Sequence, residues 1–569
     1  MPIDLTVTIG GEAGQGLLTI GSVLSKTLSR SGYHIFADQD YESRIRGGHY
    51  FLRTHIADHI VRAVSEPIHI LLALNPQTIE LHKNEMAPGG IIVAEKDDIP
   101  QASGEPSFFP VPLHELAESA GGRIMLNTVA LGVLAALLDY DINLLNAVLI
   151  ERFGEAEPGQ SNVKAAAAGY DFTRKTSGGI SRYKLEPVKR RRHLLINGNE
   201  AIAYGALAAG CRFMAAYPMT PSTPILEFLA EKADKFGMHV IQAEDEIAAI
   251  NMAIGAGFTG ARALTATSGS GFCLMVEGLG LAEMTETPVV IIDGQRPGPC
   301  VGLPTRTEQG DLQFVLSAHH GEFPRVVLAP GSVEGAFWLT IKAFNLAEKY
   351  QTPVIILTDQ HLAESCATTE PFDLSKVAIE RGDLLSEIES DKLRDSYVRH
   401  KVTRSGVSPR ALPGLGHALV VTDSDEHDEE GHITESASVR SIMVEKRLSK
   451  MIAMSEEVLP PTTNGTGTPS VSLLGWGSSL GAMKEAVDRL NAFGQKAAMM
   501  HLSQLWPFPA QAVTQFMSRS ERNVVVESNA TGQLAKLIRQ ETGIQAQSYV
   551  RRYDGRPLTP AYILSRLKK

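Results

Sequence analysis

The sequence has few cysteines, no long apolar run and no excess of positive charge. Its four cysteines, Cys211, Cys273, Cys300 and Cys366, lie far apart, so they predict neither a disulfide framework nor a Cys-x-x-Cys cluster motif. We expect reduced thiols in a cytoplasmic protein, and any iron–sulfur cluster would have to lie on another chain. No stretch approaches the ~20 apolar residues of a membrane span, and the first residues do not resemble a signal peptide.

The charge balance is acidic, with 53 Lys and Arg against 64 Asp and Glu and a net charge of −11. Such a chain is not expected to bind nucleic acid or anionic membranes. The basic run Lys189–Arg192 is interpreted as part of a solvated linker. At 569 residues the chain is too long for one hydrophobic core, so three or four domains are expected.

Apolar runs of strand length alternate with helical patterns along most of the chain, which predicts an α/β fold of three parallel-sheet domains. We place these domains at residues 1–180, 194–385 and 468–569, with an irregular excursion over 386–461. Strands are expected at Leu5–Gly10, Ile70–Leu74, Gly90–Ala94, Met238–Gln242, Ala261–Thr267, Pro288–Asp293, Thr352–Asp359, Lys496–Leu502 and Asn523–Glu527, and from Ser470 onward.

A glycine cluster, Gly11-Glu-Ala-Gly14-Gln-Gly16, stands between the first strand and a helical pattern. Backbone amides at such a helix start can hold a phosphate, and Asp38 lies where a nucleotide-binding unit often places its ribose-binding acid. The glycine order is GxxGxG rather than GxGxxG, however. A structural turn, an anion or cofactor contact and a nicotinamide site all remain open.

Three later loops combine polar groups with a strand–helix junction. Tyr217–Pro224 (YPMTPSTP) offers hydroxyls on a proline-stiffened loop, for substrate binding or helix capping. Glu244, within QAEDE, opens an apolar helix, where carboxylates also serve as caps. Arg306, within GLPTRTEQG, is suited to bidentate binding of a carboxylate or to a surface ion pair.

The stretches GNEAIAYGALAAG, YPMTPSTP, QAEDEIAAI, GLPTRTEQGDL, GVSPRALPG and EHDEEGHI together resemble the α subunits of 2-oxoacid:ferredoxin oxidoreductases. GEAGQG and SRIRGGH resemble the γ-type domain of the same family, here fused ahead of α. The resemblance spans nearly the whole chain. It implies a γ-type domain, a pyrimidine-type thiamine diphosphate domain and a domain like the transketolase C-terminal domain.

The resemblance also implies roles for particular residues. Glu244 would hydrogen-bond the aminopyrimidine ring of thiamine diphosphate, and Thr220 would contact the substrate or the reactive end of the cofactor. Arg306 would bind a carboxylate of the substrate. The remaining implied contacts are Tyr217 and Pro221 for substrate, and Gly14 and Gly16 for a cofactor, namely coenzyme A.

The family's pyrophosphate-type domain carries Gly-Asp-Gly followed by Asn. The Asp-Gly pairs of this chain, at Asp293 and Asp554, lack the preceding glycine. The resemblance therefore implies a separate β subunit that brings Mg²⁺ and a [4Fe-4S] cluster, with no metal on this chain. The implied reaction converts a 2-oxoacid and coenzyme A to acyl-CoA and CO₂ with reduction of ferredoxin, or runs in reverse as a carboxylation. The implied assembly is a dimer of αβ pairs.

Fused γ–α chains most resemble the 2-oxoglutarate enzymes, whereas pyruvate and branched-chain oxoacids remain alternatives. A non-catalytic nucleotide-binding or regulatory subunit and a non-oxidative thiamine enzyme are the rival classes. The acidic stretch Asp425–His432 is open to two interpretations, a metal site or a solvated loop.

Overall fold

The computed structural model describes residues 3–44, 47–99, 107–178, 180, 183–188 and 193–568. The basic run Lys189–Arg192 and residues 45–46 of the SRIRGGH stretch lie outside the described residues. The chain forms two compact units. The first comprises residues 1–196, 365–371 and 559–564, and the second comprises 197–364, 372–558 and 565–569.

The first unit contains an eight-stranded sheet in the order β6-β5-β4-β1-β3-β2-β14-β7. Its elements are β1 (Asp4–Glu12), α1 (Leu17–Arg30), β2 (His34–Tyr41), β3 (His49–Ala57), β4 (Ile68–Ala73), α2 (Pro76–His82), β5 (Met86–Glu95), β6 (Ser107–Val111), α3 (Leu113–Ala120), α4 (Leu126–Leu137), α5 (Ile142–Phe153), α6 (Glu157–Thr176), β7 (Leu194–Asn197) and β14 (Cys366–Thr369).

This sheet is mixed. β1 is parallel to β4 and antiparallel to β3, and β2 is antiparallel to β3. The chain between β2 and β3 is too short for the helical crossover that parallel strands need, so these two strands form a hairpin. The predicted α/β class with three sheets is confirmed, and the hairpin is a local departure from the parallel pattern.

Two glycines allow the helices of the first unit to pack closely. A Cβ on Gly132 of α4 would lie 1.9 Å from the Ala166 carbonyl oxygen of α6, and one on Gly169 would lie 2.1 Å from that of Val129.

No single helix of the described chain is long and apolar enough to cross a membrane. The bent pair 113–120 and 123–137 passes the same test of length and composition, with 116° between its halves.

The second unit contains two further sheets. The central sheet has the order β18-β12-β13-β11-β10-β8-β9 and the smaller sheet β15-β17-β16-β19-β20. The elements are α7 (Gly198–Ala208), β8 (Phe213–Ala216), α8 (Thr223–Phe236), β9 (His239–Gln242), α9 (Glu246–Phe258), β10 (Ala263–Thr267), α10 (Gly269–Met284), β11 (Val289–Gln295), α11 (Leu312–Ser317), β12 (Val326–Leu328), α12 (Val333–Tyr350), β13 (Pro353–Asp359), α13 (Gln360–Glu364), α14 (Glu387–Leu393), α15 (Ala437–Glu456), β15 (Thr462–Gly465), β16 (Val471–Trp476), α16 (Ser479–Ala492), β17 (Ala497–Leu502), β18 (Gln504–Trp506), α17 (Ala510–Met517), β19 (Arg522–Glu527), α18 (Gln533–Thr542), β20 (Ser548–Arg551) and α19 (Pro560–Leu567).

The strands predicted from the sequence are present, with ends shifted by a few residues. β10, β11 and β13 are buried along their whole length, as expected of central strands covered on both faces. The short 3-10 helices of the described chain are Lys83–Glu85, Lys96–Asp98, Arg123–Met125, Leu374–Lys376 and Arg394–Ser396.

The segment over 386–461 contains a 20-residue helix, α15, that the sequence reasoning did not anticipate. The hydrophobic pattern of this segment does not indicate a helix, because the buried face of α15 carries Lys446, Arg447 and Lys450 rather than a run of apolar side chains. Fully buried Glu286 forms ion pairs with both lysines, at 2.8 Å in the case of Lys450. Paired charges thus take the place of an apolar stripe on this helix.

Candidate active site

The carboxyl ends of β8 and β10 mark the crevice of the central sheet. The chain leaves β8 toward β9 on one side, then returns to β10 on the other side of β8. In open α/β sheets ligands bind at such a switch point, outside the carboxyl ends of the strands. The two strands end here at Ala216 and Thr267.

The loop after β8 crosses the end of β10. The Ser222 hydroxyl donates to the Thr267 carbonyl oxygen at 2.6 Å, and Asn199 Nδ2 donates to the Pro221 carbonyl oxygen at 2.9 Å. Ser222 precedes α8 but makes no side-chain cap, so the capping interpretation of this loop is wrong for Ser222. Pro221 is buried, Thr220 is half-buried and Tyr217 is 39% exposed, so the loop is fixed at its base and presents polar groups at its tip.

Arg296 lies beside this loop and was missed by the sequence reasoning. Its Nη1 donates to the Thr220 carbonyl oxygen at 2.9 Å, and its Nη2 donates to Met219 Sδ at 3.4 Å. The side chain is buried, and this burial lowers the pKa of the guanidinium. Its position one residue past β11 was the available signal, because polar groups just beyond parallel strands line the crevice.

The three carboxylates of QAEDE take three different positions. Glu244 is exposed. Asp245 is the N-cap of α9 and accepts from the Ala248 amide at 2.7 Å, so the capping interpretation holds for this residue. Glu246 is 4% exposed, and its Oε1 has no hydrogen-bond partner among the described residues.

Glu246 belongs to the buried face of α9, together with Ala249 and Ile250 at three and four residues further on. The helical period was therefore the signal that separates Glu246 from Glu244. A Cβ on Gly271 of α10 would lie 2.5 Å from Glu246 Oε1 and 2.0 Å from Thr267 Oγ1. The carboxylate thus adjoins the end of β10, and only glycine fits opposite.

Carboxylates with raised pKa values lie at the end of β11 and on the loop beyond it. Asp293 is fully buried, and neither carboxylate oxygen has a hydrogen-bond partner among the described residues. Burial, and then the neighbouring Asp311, raise the pKa of Asp293 well above its usual range. Burial raises the pKa of Asp311 to about 6, against the opposing effect of Arg296, and burial together with Asp311 raises that of Glu308 to about 7. This environment favours the protonated, neutral form of Asp293.

The loop of residues 302–311 carries Arg306 against the smaller sheet's domain. The Thr307 amide donates to the Gly555 carbonyl oxygen at 3.2 Å, and a Cβ on Gly555 would lie 3.0 Å from Arg306 Cβ. Arg306 is half-buried and lies ten residues beyond Arg296 on the same connection. Arg296 is thus the first residue of this connection between β11 and α11, and Arg306 lies in its second half.

The glycine turn of the first unit has a clear structural reason. Gly14 and Gly16 have φ values of 93° and 77°, in the left-handed region that favours glycine, and Gly16 is the N-cap of α1. Asn127 Nδ2 donates to the Gln15 carbonyl oxygen. Asp38 is buried in an ion pair with Arg53 at 3.1 Å, so the ribose-binding interpretation of Asp38 is wrong. The structural turn is confirmed, and an anion contact stays a prediction.

The acidic stretch over 425–432 is in part the solvated loop expected from its sequence, because Asp425, Glu429, Glu430 and His432 are exposed. His427 is fully buried against the His400 ring, and Glu426 forms an ion pair with Arg447 at 2.9 Å. The stretch therefore packs on α15 through charge pairs. Within the described residues no group of three or more His, Cys, Asp or Glu could hold a metal ion, and Cys211, Cys273 and Cys300 are free cysteines.

Three family models match consecutive parts of the chain. The thiamine diphosphate-binding model of pyruvate flavodoxin/ferredoxin oxidoreductase matches residues 204–446, which include the whole crevice. The pyruvate ferredoxin/flavodoxin oxidoreductase model matches 6–172, and the pyruvate:ferredoxin oxidoreductase core domain II model matches 470–563.

The chain is also similar to relatives of almost equal length. The 2-oxoacid:ferredoxin oxidoreductase subunit alpha of a Sulfolobus species is 34% identical over 97% of this chain and 95% of its own. The 2-oxoglutarate oxidoreductase subunit KorA of Mycobacterium tuberculosis is 30% identical over 96% of this chain and 88% of its own. A solved structure of 2-oxoglutarate:ferredoxin oxidoreductase from Magnetococcus marinus, with 2-oxoglutarate, coenzyme A and succinyl-CoA bound, has 31% identity and a TM-score of 0.92, covering 99% of both chains.

Fold and site thus define an oxidoreductase subunit with a thiamine diphosphate-binding domain. The chain belongs to the α subunits of the 2-oxoacid:ferredoxin oxidoreductases, which confirms the resemblance seen in its motifs.

Proposed function

We propose that this chain supplies the pyrimidine-binding half of a thiamine diphosphate site and that the assembled enzyme oxidises 2-oxoglutarate. The observation that supports this most strongly is Glu246, a buried carboxylate at the switch point of the central sheet, one oxygen of which has no partner in the described part of the chain. A buried carboxylate without a partner is costly unless a ligand completes its hydrogen bonds.

The residues present fit the pyrimidine end of the cofactor. Glu246 Oε1 is available to a ring nitrogen, and Gly271 leaves room beside it. When bound, thiamine diphosphate supplies the carbanion chemistry by which a 2-oxoacid loses CO₂. Glu246 would exchange a proton with the pyrimidine ring through Oε1. The proposal therefore transfers this role from exposed Glu244 to Glu246.

The substrate would lie against the loop of Tyr217, Thr220 and Pro221. Buried Arg296, held by the Thr220 carbonyl oxygen, is placed to bind the carboxylate next to the reacting carbonyl. Arg306 would bind the distal carboxylate of 2-oxoglutarate, which pyruvate lacks. The 2-oxoglutarate relatives from Mycobacterium tuberculosis and Magnetococcus marinus support this substrate.

A β subunit would complete the site. Exposed apolar side chains lie on the helix that carries Glu246 and on its neighbouring elements, namely on β9 (Ile241), α9 (Ile247 and Met252) and α10 (Leu274), with exposed fractions of 38–51%. A surface of this kind is suited to a protein partner. The proposal assigns Mg²⁺ and a [4Fe-4S] cluster to the β subunit, ferredoxin as electron acceptor, a dimer of αβ pairs and a cytoplasmic location. The glycine turn at Gly14 and Gly16 would contact coenzyme A through its backbone amides.

The direct test uses the complex of this chain with its β subunit, purified without oxygen. Reduction of a low-potential dye is measured with 2-oxoglutarate or pyruvate, each with and without coenzyme A. We expect a brown complex that needs both an oxoacid and coenzyme A and prefers 2-oxoglutarate. Preference for pyruvate would refute the substrate assignment, and a colourless, inactive complex would refute the oxidoreductase proposal.

The two glutamates provide a matched pair of variants. Glu246→Gln should lower kcat by about 10²–10⁴-fold, the usual effect of losing a group that transfers a proton. Glu244→Gln, the same chemical change two residues earlier on an exposed side chain, should stay within about threefold of the parent. Loss of activity in Glu244→Gln with Glu246→Gln unaffected would return the role to Glu244.

A further inference from the structure

Gln309 is fully buried in the loop between Arg306 and Asp311, yet it cannot itself be the group that recognises a carboxylate. Its hydrogen bonds all go to the domain of the smaller sheet. The backbone N–H of Gln309 donates to the Ser528 carbonyl oxygen at 2.6 Å, and the side-chain Oε1 of Gln309 accepts from the backbone N–H of Ser528 at 2.9 Å. Its Nε2 donates to the Trp476 carbonyl oxygen at 2.8 Å.

Asn529 completes this contact. Its Nδ2 donates to the Gln309 carbonyl oxygen at 3.1 Å and to Glu527 Oε2 at 2.7 Å. Glu527 is itself fully buried and accepts from the Leu534 amide at 2.8 Å, at the start of α18. The partner of Gln309 is therefore part of the folded core of the smaller sheet's domain.

A second glutamine holds the other side of the loop. Gln533 Nε2 donates to the Gly310 carbonyl oxygen at 2.6 Å, and its Oε1 accepts from the Gln313 amide at 2.9 Å. Together with the Thr307–Gly555 bond, the loop is therefore bound to the domain of the smaller sheet at Thr307, Gln309 and Gly310.

The chemistry of the position requires an amide. The side chain must accept a hydrogen bond from the Ser528 amide and donate one to the Trp476 carbonyl oxygen, and the carboxamide of Gln offers both at fixed sites. A carboxylate would place an acceptor against the Trp476 carbonyl oxygen. A leucine of similar size would leave the Ser528 amide without this bond, and the Trp476 carbonyl oxygen would keep only the bond from the Ser479 hydroxyl, at 2.7 Å.

We infer that Gln309 is a positioning residue that sets the choice of 2-oxoacid, because it holds the Arg306 loop on the domain of the smaller sheet. This rests on the proposed role of Arg306 at the distal carboxylate. Displacing the loop should weaken binding of 2-oxoglutarate more than that of pyruvate, which has no distal carboxylate. A purely structural role would reduce both alike.

The test compares Gln309→Leu and the milder Gln533→Ala with the parent αβ complex. Gln540→Glu, on an exposed face of α18, is the control and should match the parent. We expect the ratio of kcat/KM for 2-oxoglutarate to that for pyruvate to fall about tenfold in Gln309→Leu, mainly through KM, since one lost buried hydrogen bond has about this effect. Gln533→Ala should show a smaller change in the same direction.

Hydrogen exchange of a peptide spanning residues 302–313 supplies a readout that does not depend on turnover. Exchange there should become about tenfold faster in Gln309→Leu. Unchanged exchange, or faster exchange with an unchanged substrate ratio, would overturn the inference. A parent complex that oxidises no 2-oxoacid would overturn the proposed function as well, and the parent assay alone reveals that case.

Discussion

Replacing Glu286 by glutamine removes the central charge of a buried ion cluster. Glu286 is fully buried, forms ion pairs with Lys446 and with Lys450 at 2.8 Å, and is hydrogen-bonded to His400 Nδ1 at 2.9 Å. Burial raises its pKa, but the two ammonium groups outweigh burial and hold the pKa well below its usual range. Burial lowers the pKa of His400 to about 3, so this histidine adds no positive charge at pH 7.

The magnitude follows from the charges that remain. In Glu286→Gln, Lys446 loses its ion pair with Glu286, and Lys450 keeps an ion pair with Glu283 at 3.5 Å. In the parent, burial raises the pKa of Glu283 to about 7, so this carboxyl is a weak replacement for Glu286. Removing one member of a buried charge cluster costs about 3–5 kcal/mol. At roughly 2 °C per kcal/mol for a large cooperative unit, the expected loss in Tm is about 6–10 °C.

Thermal unfolding of the purified chain, followed by circular dichroism at pH 7, checks this value. Glu445→Gln makes the same change on the exposed face of α15 and should leave Tm within about 1 °C. Combining Glu286→Gln with Lys446→Met removes one opposing charge and should recover part of the loss. A Tm for Glu286→Gln within 2 °C of the parent would show that this cluster does not hold α15 in place.

Three further perturbations test the buried groups around the crevice and the smaller sheet. Burial lowers the pKa of His501 from 6.5 to about 4, so the parent loses stability as the pH falls from about 6.5 toward 4. The Tm of His501→Gln should therefore depend less on pH in this range than that of the parent. Burial raises the pKa of Asp293, so its ionisation destabilises the fold as pH rises; Asp293→Asn should exceed the parent Tm at pH 8, with the gain vanishing near pH 4, and an equal gain at both pH values would contradict this. Gly271→Ala should abolish activity of the αβ complex, because the added Cβ would overlap Glu246 Oε1. Gly255→Ala, whose Cβ would enter open space on α9, is the control and should keep activity and raise Tm slightly. An active Gly271→Ala variant would exclude the proposed site.

Much of the fold was determined by local patterns in the sequence. Runs such as Val289–Ile292 and Val524–Val526 are apolar on both faces, and only a strand covered on both sides buries them fully. The loop at Tyr217–Pro224 and the glycine turn could be recognised because proline and glycine restrict the backbone wherever they occur. The sequence did not predict the hairpin of β2 and β3 or helix α15, because strand pairing direction and buried charge depend on partners elsewhere in the chain.

The identity of the site residues was decided by tertiary structure. The motif QAEDE offers three carboxylates within three positions, and only the packing of α9 on α10 shows that Glu246 is buried while Glu244 is exposed. Gln309 is bound by residues 167 and 220 positions further along the chain. No local pattern specifies such contacts, because their geometry exists only once the two sheets of the second unit have folded against each other.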